Sequence, residues 1–257
     1  MQVFKFGGAS IKDAKGVKNL VDVLHTVGYN NTLIVVSAMG KTTNSLEIVI
    51  NNYFKNKNEL QSSIQEVKKY HNAILLDLFE NENHAVFKKV ADLFNELNNF
   101  LKSNKSPDYN FVYDQVIGFG ELASTVIISY YLNENGLKNT WLDVREFIKT
   151  DNYYRRSNVD WEATQKLINA TYKTSTLHIT QGFLGSDKNN FTTTLGREGS
   201  DYTAAIFAYC LNANSVTIWK YVPGVLNADP RYFENAQLLH KISLFRLAKA
   251  QPKSVTT

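Results

Sequence analysis

One stretch of this chain combines residue types and spacing that suit the binding of an anion. Residues 192–205, TTTLGREGSDYTAA, begin as a β-branched strand end, turn between Gly196 and Gly199, and open into an apolar helix. The first N–H groups of a helix lack intrahelical partners and lie at the positive end of its dipole, so they attract negative charge. Arg197 adds a planar fork of donors for a carboxylate or phosphate, and Asp201 stands in the first helical turn. By itself the stretch also fits a capped turn with a solvated arginine, because strand–turn–helix junctions are common in α/β proteins.

The composition is that of a globular protein. The 257 residues are 44% hydrophobic and 20% charged, with a formal net charge of +4. Basic residues are spread along the chain rather than clustered, which argues against a nucleic-acid surface. The single cysteine, Cys210, excludes an internal disulfide or a cysteine-rich metal site, and we expect it in the core. We find no apolar run of membrane-spanning length and no leader pattern, so we expect a cytoplasmic protein without membrane association.

Strands and helices alternate along the chain, which predicts an α/β fold with a mainly parallel sheet covered on both faces. The apolar run at 32–37, TLIVVS, is typical of a strand buried on both faces. Over 58–104, apolar residues at helical spacing predict a helical hairpin or bundle attached to the sheet layer. Further strands are predicted at 2–7, 140–144, 177–180 and 215–219, with extended pieces at 147–148 and 224–227. Further helices are predicted at 14–28, from 44, and at 111–133, 160–172, 201–211 and 244–250.

Two glycine motifs suggest nucleotide binding by known loops. Gly40-Lys41-Thr42 looks like the end of a P-loop, but the place where that pattern needs its first glycine is Val35. Residues 118–123, GFGELA, fit the looser dinucleotide-binding pattern, with Asp143 at a suitable distance. That pattern follows a strand, and residues 113–117 are a poor strand candidate. NAD binding is therefore the main alternative from the residues alone, while we assign Asp143 and the histidines to structure or surface.

Five blocks of the chain, in order, resemble motifs of the aspartate kinases within the amino acid kinase family. The match runs from residue 1 to about 250, and each block has a counterpart at a suitable spacing. The blocks are KFGGAS at 5–10 (family KFGGTS), VVSAMGKTTN at 35–44 (the second loop), GFGELAS at 118–124 (the GE(R/L)xS helix), TTLGREGSDYTA at 193–204 (TLGRxGSDxTA) and WKYVPGVLNADPR at 219–231 (WTDVxGVxTxDPR).

The resemblance implies a three-layer αβα sandwich around a mainly parallel sheet of about eight strands, with a helical insertion at 58–104. Residues 1–257 would form one catalytic domain, with a substrate lobe first and a nucleotide lobe from about 190, and no regulatory ACT domain. It also implies transfer of the ATP γ-phosphoryl group to the side-chain carboxylate of L-aspartate. The product, 4-phospho-L-aspartate, leads toward lysine, threonine and methionine. A homodimer is the expected assembly.

The implied chemistry needs no general base, because a carboxylate with a pKa of about 4 is already ionised at pH 7. The task is to bring two anions together and to stabilise charge on the transferring group. The resemblance implies that Lys5 stabilises this charge and that Asp201 orients Lys5 or the phosphates. Mg²⁺ would be held largely by the phosphates.

The resemblance also assigns binding roles. Glu121 would bind the substrate ammonium and Arg197 a substrate carboxylate. Hydroxyl contacts would come from Ser37, Thr43 and Ser200. The nucleotide contacts implied are Lys5, Gly7, Gly8, Lys220, Tyr221, Leu226 and Arg231.

Two departures from the family pattern leave alternatives open. Lys220 and Tyr221 replace the Thr-Asp of the family's nucleotide pocket, and a tyrosine cannot supply a carboxylate. After Ser243 the chain reads LFRLAKAQPKSVTT, where the family has a segment similar to EAxELAxxGAKVLHP. One alternative is a non-catalytic or weakly active homologue that serves as a binding or partner subunit. The other is a kinase for another amino acid carboxylate.

Overall fold

The computed structural model describes residues 1–172, 176–220, 224, 227 and 232–238. The chain divides into two compact units, Met1–Trp219 and Lys220–Thr257. In the second unit the Asn227 N–H donates to the Gln237 carbonyl at 3.0 Å, and the Gln237 N–H donates to Asn227 Oδ1 at 2.8 Å. The predictions at 225–226 and 244–250 lie outside the described residues.

Seven strands are described, all in the first unit. They are β1 (Gln2–Phe6), β2 (Thr32–Val36), β3 (Asn139–Leu142), β4 (Leu177–Gln181), β5 (Leu184–Ser186), β6 (Thr192–Thr194) and β7 (Ser215–Trp219). Five form a parallel sheet in the order β3-β4-β2-β1-β7, and β5 and β6 form a separate antiparallel pair. In the middle of the sheet Lys5 aligns with Val35 on one side and Ile218 on the other.

The α/β class is confirmed, but the strand count is not the expected eight. Within the described ranges the main sheet has five strands. Residues 147–148, expected to be extended, instead follow a short 3-10 helix, Val144–Glu146, which Asp143 caps by accepting the Arg145 N–H at 3.1 Å. Leu184–Ser186, where the sequence predicts no strand, pairs with β6 as a strand. The first segment is shaped by a local helix turn, and the second forms a short hairpin with β6.

Helices cover both faces of the sheet. Alternate residues of β2 divide between two hydrophobic clusters, with Ile34 in one and Val35 in the other. Ile168 of α7 (Trp161–Thr171) and Phe207 of α8 (Gly199–Cys210) pack in the Val35 cluster, and the remaining helices supply the Ile34 cluster, so the three-layer arrangement is confirmed. The helices are α1 (Ala14–Val27), α2 (Thr42–Lys55), α3 (Leu60–Leu78), α4 (Ala85–Ser103), α5 (Tyr109–Ile117), α6 (Phe119–Glu134), α7 (Trp161–Thr171) and α8 (Gly199–Cys210).

The single helix expected at 111–133 is two successive helices, α5 and α6, which meet at Gly118. Residues 113–117 are helical, so the strand required before a dinucleotide-binding glycine motif is absent there, and the NAD-binding alternative is wrong. The expectation about membrane-spanning length also needs correction. Residues 109–134 are long and apolar enough to span a bilayer, and their most apolar 18-residue window has a mean hydropathy of 1.3, but 83% of that window is buried inside the protein.

Candidate active site

Two loops meet where β1 and β2 end, at the carboxyl edge of the parallel sheet, where α/β proteins place ligands. The Gly40 N–H donates to the Gly8 carbonyl at 3.0 Å. A Cβ added to Gly8 would lie 2.4 Å from the Ala38 carbonyl oxygen, so a larger residue would force the loops apart. Glycine at position 8 therefore allows the close approach of the two backbones.

Lys5 and Asp201 form an ion pair beside these loops. Lys5 Nζ lies 2.6 Å from Asp201 Oδ1, and Lys5 is 5% exposed although it carries a charge. The central strand β1 positions the lysine, and the first turn of α8 positions the aspartate. A Cβ on Gly7 would lie 3.7 Å from Lys5 Nζ, so the ammonium stands next to the glycine turn. The pair holds a cation at the end of the sheet, next to the two glycine loops.

The N-terminus of α8 is fixed by close packing against the loop after β4. A Cβ on Gly182 would lie 2.5 Å from Ser200 Cβ, and one on Gly199 would lie 2.6 Å from a ring carbon of Phe183. The Phe183 N–H donates to Thr203 Oγ1 at 2.9 Å. Glu198 precedes the helix in the left-handed conformation, with φ of 55°. The start of α8 is thus held against the end of β4.

Glu121 on α6 is a buried carboxyl group with an unused oxygen. Its Oε1 accepts the Ala38 N–H at 3.3 Å, whereas Oε2 is buried and has no hydrogen-bond partner among the described residues. Burial raises the pKa of Glu121 to about 8. The backbone of α6 is tied to the sheet at this point, because Thr125 Oγ1 donates to the Glu121 carbonyl and accepts from Gln181 Nε2 at 2.8 Å. An approaching cation would satisfy the unused oxygen and favour the ionised carboxylate.

One cavity of about 220 Å³ gathers five of the predicted site residues. Arg197 does not line it; this exposed residue lines an adjoining cavity of about 830 Å³ instead. Thr43, Phe183 and Gly196 border both cavities. The small cavity is lined by Lys5, Ser37, Thr43, Glu121 and Ser200, together with Phe183, Gly196, Glu198 and Gly199.

The residues expected to contact a nucleotide are described only in part. Lys220 is exposed at the start of the second unit, and Tyr221, Leu226 and Arg231 lie outside the described residues. In the part of the chain that the structure describes, no three histidine, cysteine, aspartate or glutamate residues are grouped closely enough to hold a metal.

Sequence reasoning did not single out four residues that border the two cavities. Phe183 has φ of 72°, in the left-handed region. It directly follows Gly182, and this glycine was the sequence signal for an unusual backbone conformation in the loop. Glu198 lies at the variable position of the motif at 193–204, so its residue type gives little information about function. Arg155 and Arg156 belong to no quoted motif and line the larger cavity.

The residues that the sequence analysis assigns to the structure or the core are paired or buried side chains. Asp143 forms an ion pair with Arg145 at 2.6 Å. His71 is fully buried, its Nδ1 lies 2.8 Å from the Val67 carbonyl oxygen, and burial lowers its pKa to about 4. Cys210 is buried in the core, as expected.

Comparison with known proteins adds to this geometry. The model of the amino acid kinase family matches residues 1–255. The chain belongs to the amino acid kinase family. Among curated relatives, the lysine-sensitive aspartokinase 3 of Escherichia coli is 32% identical over 259 residues, which cover 96% of this chain and 55% of that protein. The bifunctional aspartokinase/homoserine dehydrogenase 2 of Arabidopsis thaliana is 30% identical over 252 residues, or 94% of this chain and 27% of that protein.

Solved structures of other family members are similar in fold to this chain. The crystal structure of E. coli aspartokinase III in complex with aspartate and ADP is similar at a TM-score of 0.84 and 30% identity, and covers 93% of this chain and 53% of that one. Clostridium acetobutylicum aspartate kinase is similar at a TM-score of 0.78 and 26% identity, with 97% of this chain and 54% of that one covered. This family member therefore spans about half or less of the length of these relatives.

Proposed function

We propose that this amino acid kinase transfers the γ-phosphoryl group of ATP to the side-chain carboxylate of L-aspartate. The observation that carries the proposal is the buried Glu121 carboxyl group, with one unpartnered oxygen, in the cavity that is also lined by Lys5, the ion-pair partner of Asp201. Such a site offers an anion for a substrate ammonium and a cation for the reacting groups. The similarity to an aspartokinase crystallised with aspartate and ADP supports this assignment.

In the proposed complex each polar group of aspartate has a partner. The α-ammonium meets Glu121, and the α-carboxylate reaches toward Arg197 in the adjoining larger cavity. The hydroxyl groups of Ser37, Thr43 and Ser200 complete the contacts. The side-chain carboxylate is then left on the side of Lys5, where it faces the γ-phosphoryl group.

The transfer step needs no proton movement. An oxygen of the aspartate carboxylate forms a bond to the γ-phosphorus while the bond from that phosphorus to the β,γ-bridging oxygen breaks, and ADP leaves with the electron pair. Lys5 and the N-terminus of α8 stabilise the negative charge on the transferring group. Asp201 orients Lys5. Mg²⁺, which we propose is held mainly by the ATP phosphates, would supply further charge neutralisation.

Several finer assignments are part of the same proposal. Gly7 and Gly8 allow backbone to approach the phosphates, and Lys220, Tyr221, Leu226 and Arg231 are proposed nucleotide contacts. We also propose that residues 1–257 act as one catalytic domain with the helical insertion at 58–104. A homodimer in the cytoplasm, without nucleic acid or membrane partners, completes the proposal.

The test is an assay of ADP release with L-aspartate, L-glutamate and N-acetyl-L-glutamate as acceptors. We expect release that depends on L-aspartate, and its loss in Glu121→Gln with the fold retained. Release that depends only on another acceptor would point to a kinase for that carboxylate. If the folded protein releases no ADP with any acceptor, titration calorimetry with ATP and Mg²⁺ decides between an inactive binding subunit, which would bind no nucleotide, and a weakly active kinase.

A further inference from the structure

The larger cavity, of about 830 Å³, is lined by three arginines, Arg155, Arg156 and Arg197. All three are exposed, and none forms an ion pair with a carboxylate within 4 Å among the described residues. Asp108 is the carboxylate among the lining residues. The cavity therefore presents an excess of positive charge on a concave surface, with planar donor groups that suit carboxylates and phosphates.

The backbone of Arg155 is held in position by a buried carboxylate. Arg155 has φ of 71°, in the left-handed region that side chains other than glycine rarely adopt. Its N–H donates to both carboxylate oxygens of Asp114, at 3.1 and 3.0 Å. Asp114 is fully buried and also accepts from the Thr194 N–H and hydroxyl, each at 2.9 Å. Strained backbone supported by buried hydrogen bonds is typical of functional sites.

The Arg155 side chain is also held. Its guanidinium lies over the ring of Tyr113, 4.5 Å from the centroid. The Tyr113 hydroxyl donates to Glu47 at 2.9 Å, which fixes the ring. Consecutive residues of α5, Tyr113 and Asp114, thus position the side chain and the backbone of one arginine. Stacking on a ring face leaves the N–H edge of a guanidinium available to an anion.

Gly196 leaves room for the Arg156 side chain. It has φ of 78°, and a Cβ at this position would lie 2.9 Å from Arg156 Cγ and 3.4 Å from the Arg155 carbonyl oxygen. The Arg156 side chain therefore packs against the backbone next to Arg197. A larger residue here would push Arg156 away.

We propose that these three arginines form a binding site for a small multivalent anion, one that carries a phosphate group or at least two carboxylates. The site adjoins the small cavity and shares Arg197 with the proposed acceptor contacts, whereas Arg155 and Arg156 do not line the small cavity. A bound anion engages Arg197, so it competes with the amino acid for that residue. This competition rests on the proposed function; the anion site itself does not.

Titration calorimetry on the full chain tests the site, with inorganic phosphate and citrate as probes and NaCl to match ionic strength. We expect saturable binding of at least one probe and a dissociation constant raised about tenfold or more in Arg155→Gln/Arg156→Gln, as for the loss of charged hydrogen bonds. The matched control, Lys138→Gln/Lys166→Gln, removes the same charge from exposed positions outside the cavity and is expected to bind as the wild type does. Binding of phosphate alone or of citrate alone supports the site and identifies its ligand chemistry.

Two results would overturn the anion site: no saturable binding to the wild-type chain, or equal affinity in the cavity double variant with its melting temperature retained. These measurements use neither ATP nor turnover, so a chain that fails the kinase assay still tests the site. Aspartate titrations with and without the bound probe then test the competition, which predicts weaker aspartate binding. Unchanged aspartate affinity would overturn the competition.

Discussion

The protonation state of Glu121 couples substrate binding to pH. Burial raises its pKa to about 8, so the carboxyl group is mostly protonated at pH 7 in the empty cavity. An ammonium group favours the ionised form, so aspartate binding at pH 7 is expected to release a proton. Affinity is therefore expected to rise from pH 6 to about 8. Calorimetry in two buffers with different ionisation enthalpies measures the release; a binding enthalpy independent of the buffer would contradict it.

The same group makes stability depend on pH. Because its pKa is raised on folding, Glu121 contributes stability that is complete below the unfolded pKa and is lost as pH rises toward about 8. Glu121→Gln keeps a neutral side chain at every pH. We expect its melting temperature to rise relative to the wild type between pH 6 and pH 9. Glu66→Gln, at an exposed position of α3, is the control and should show no such trend.

Lys5 is expected to act on the transfer step rather than on acceptor binding. Replacing it by methionine removes the cation beside the transferring group, so we expect kcat to fall about 10²–10³-fold, as when other preorganised charge stabilisers are lost. The KM for aspartate should change little. Steady-state kinetics measures both constants. A rise in aspartate KM with unchanged kcat would instead place Lys5 in acceptor binding.

Among the helices, α3 contacts both loops of the site through one hydroxyl group. Tyr70 donates to the Lys12 carbonyl, and a Cβ on Gly40 would lie 2.5 Å from the Tyr70 hydroxyl. Tyr70→Phe removes this link, and we expect kcat/KM to fall about fivefold, which corresponds to about 1 kcal/mol for one hydrogen bond.

Tyr53→Phe is the matched control for this prediction. The Tyr53 hydroxyl donates to the Asn104 carbonyl, at the end of α4, and lines neither cavity. Tyr53→Phe should lower stability to an extent similar to that of Tyr70→Phe, but it should leave kcat/KM unchanged. Equal kinetics for the two variants would show that the helical hairpin does not position the loops.

The sequence predicted elements where the signal is local. Asp13, Asp108 and Asp160 each cap a helix by accepting N–H groups of its first turn. The break at Gly118 could not be predicted, because it depends on packing against Leu184 and Thr192, far along the chain. The strand at Leu184–Ser186 pairs with the nearby β6, but its three residues carry no alternating pattern that would mark a strand.

The same distinction applies to the site. Lys5, Ser37, Thr43, Glu121 and Ser200 lie in quoted motifs, and the structure brings them around one cavity. The role of Arg155 depends on Asp114, whose hydrogen bonds exist only after α5 has packed against Thr194. No local pattern reports such a contact, so sequence reasoning missed this arginine.

For the whole molecule, the two faces of the sheet are expected to contribute comparably to stability. Phe94 of α4 is 2% exposed in one hydrophobic cluster, and Phe207 of α8 is fully buried in the other. Replacing either by alanine is expected to cost about 3–5 kcal/mol of unfolding free energy. Urea unfolding followed by circular dichroism and by tryptophan fluorescence measures this cost. Because both clusters share β2, the two signals should shift together; separate transitions would contradict a single cooperative unit.

The position of β1 between β2 and β7 has a consequence for synthesis on the ribosome. Strand β1 is made before β2 and β7, and it receives its second neighbour only when Ser215–Trp219 has emerged, while Lys5 receives Asp201 only shortly before that. Until then a hydrophobic strand keeps one unpaired edge and a buried lysine lacks its counterion. Unpaired strand edges promote association with other chains. A ribosome that stalls before α8 therefore holds an intermediate that is prone to aggregate and lacks Ser200 and Asp201, so ligand binding would report that synthesis has passed this point.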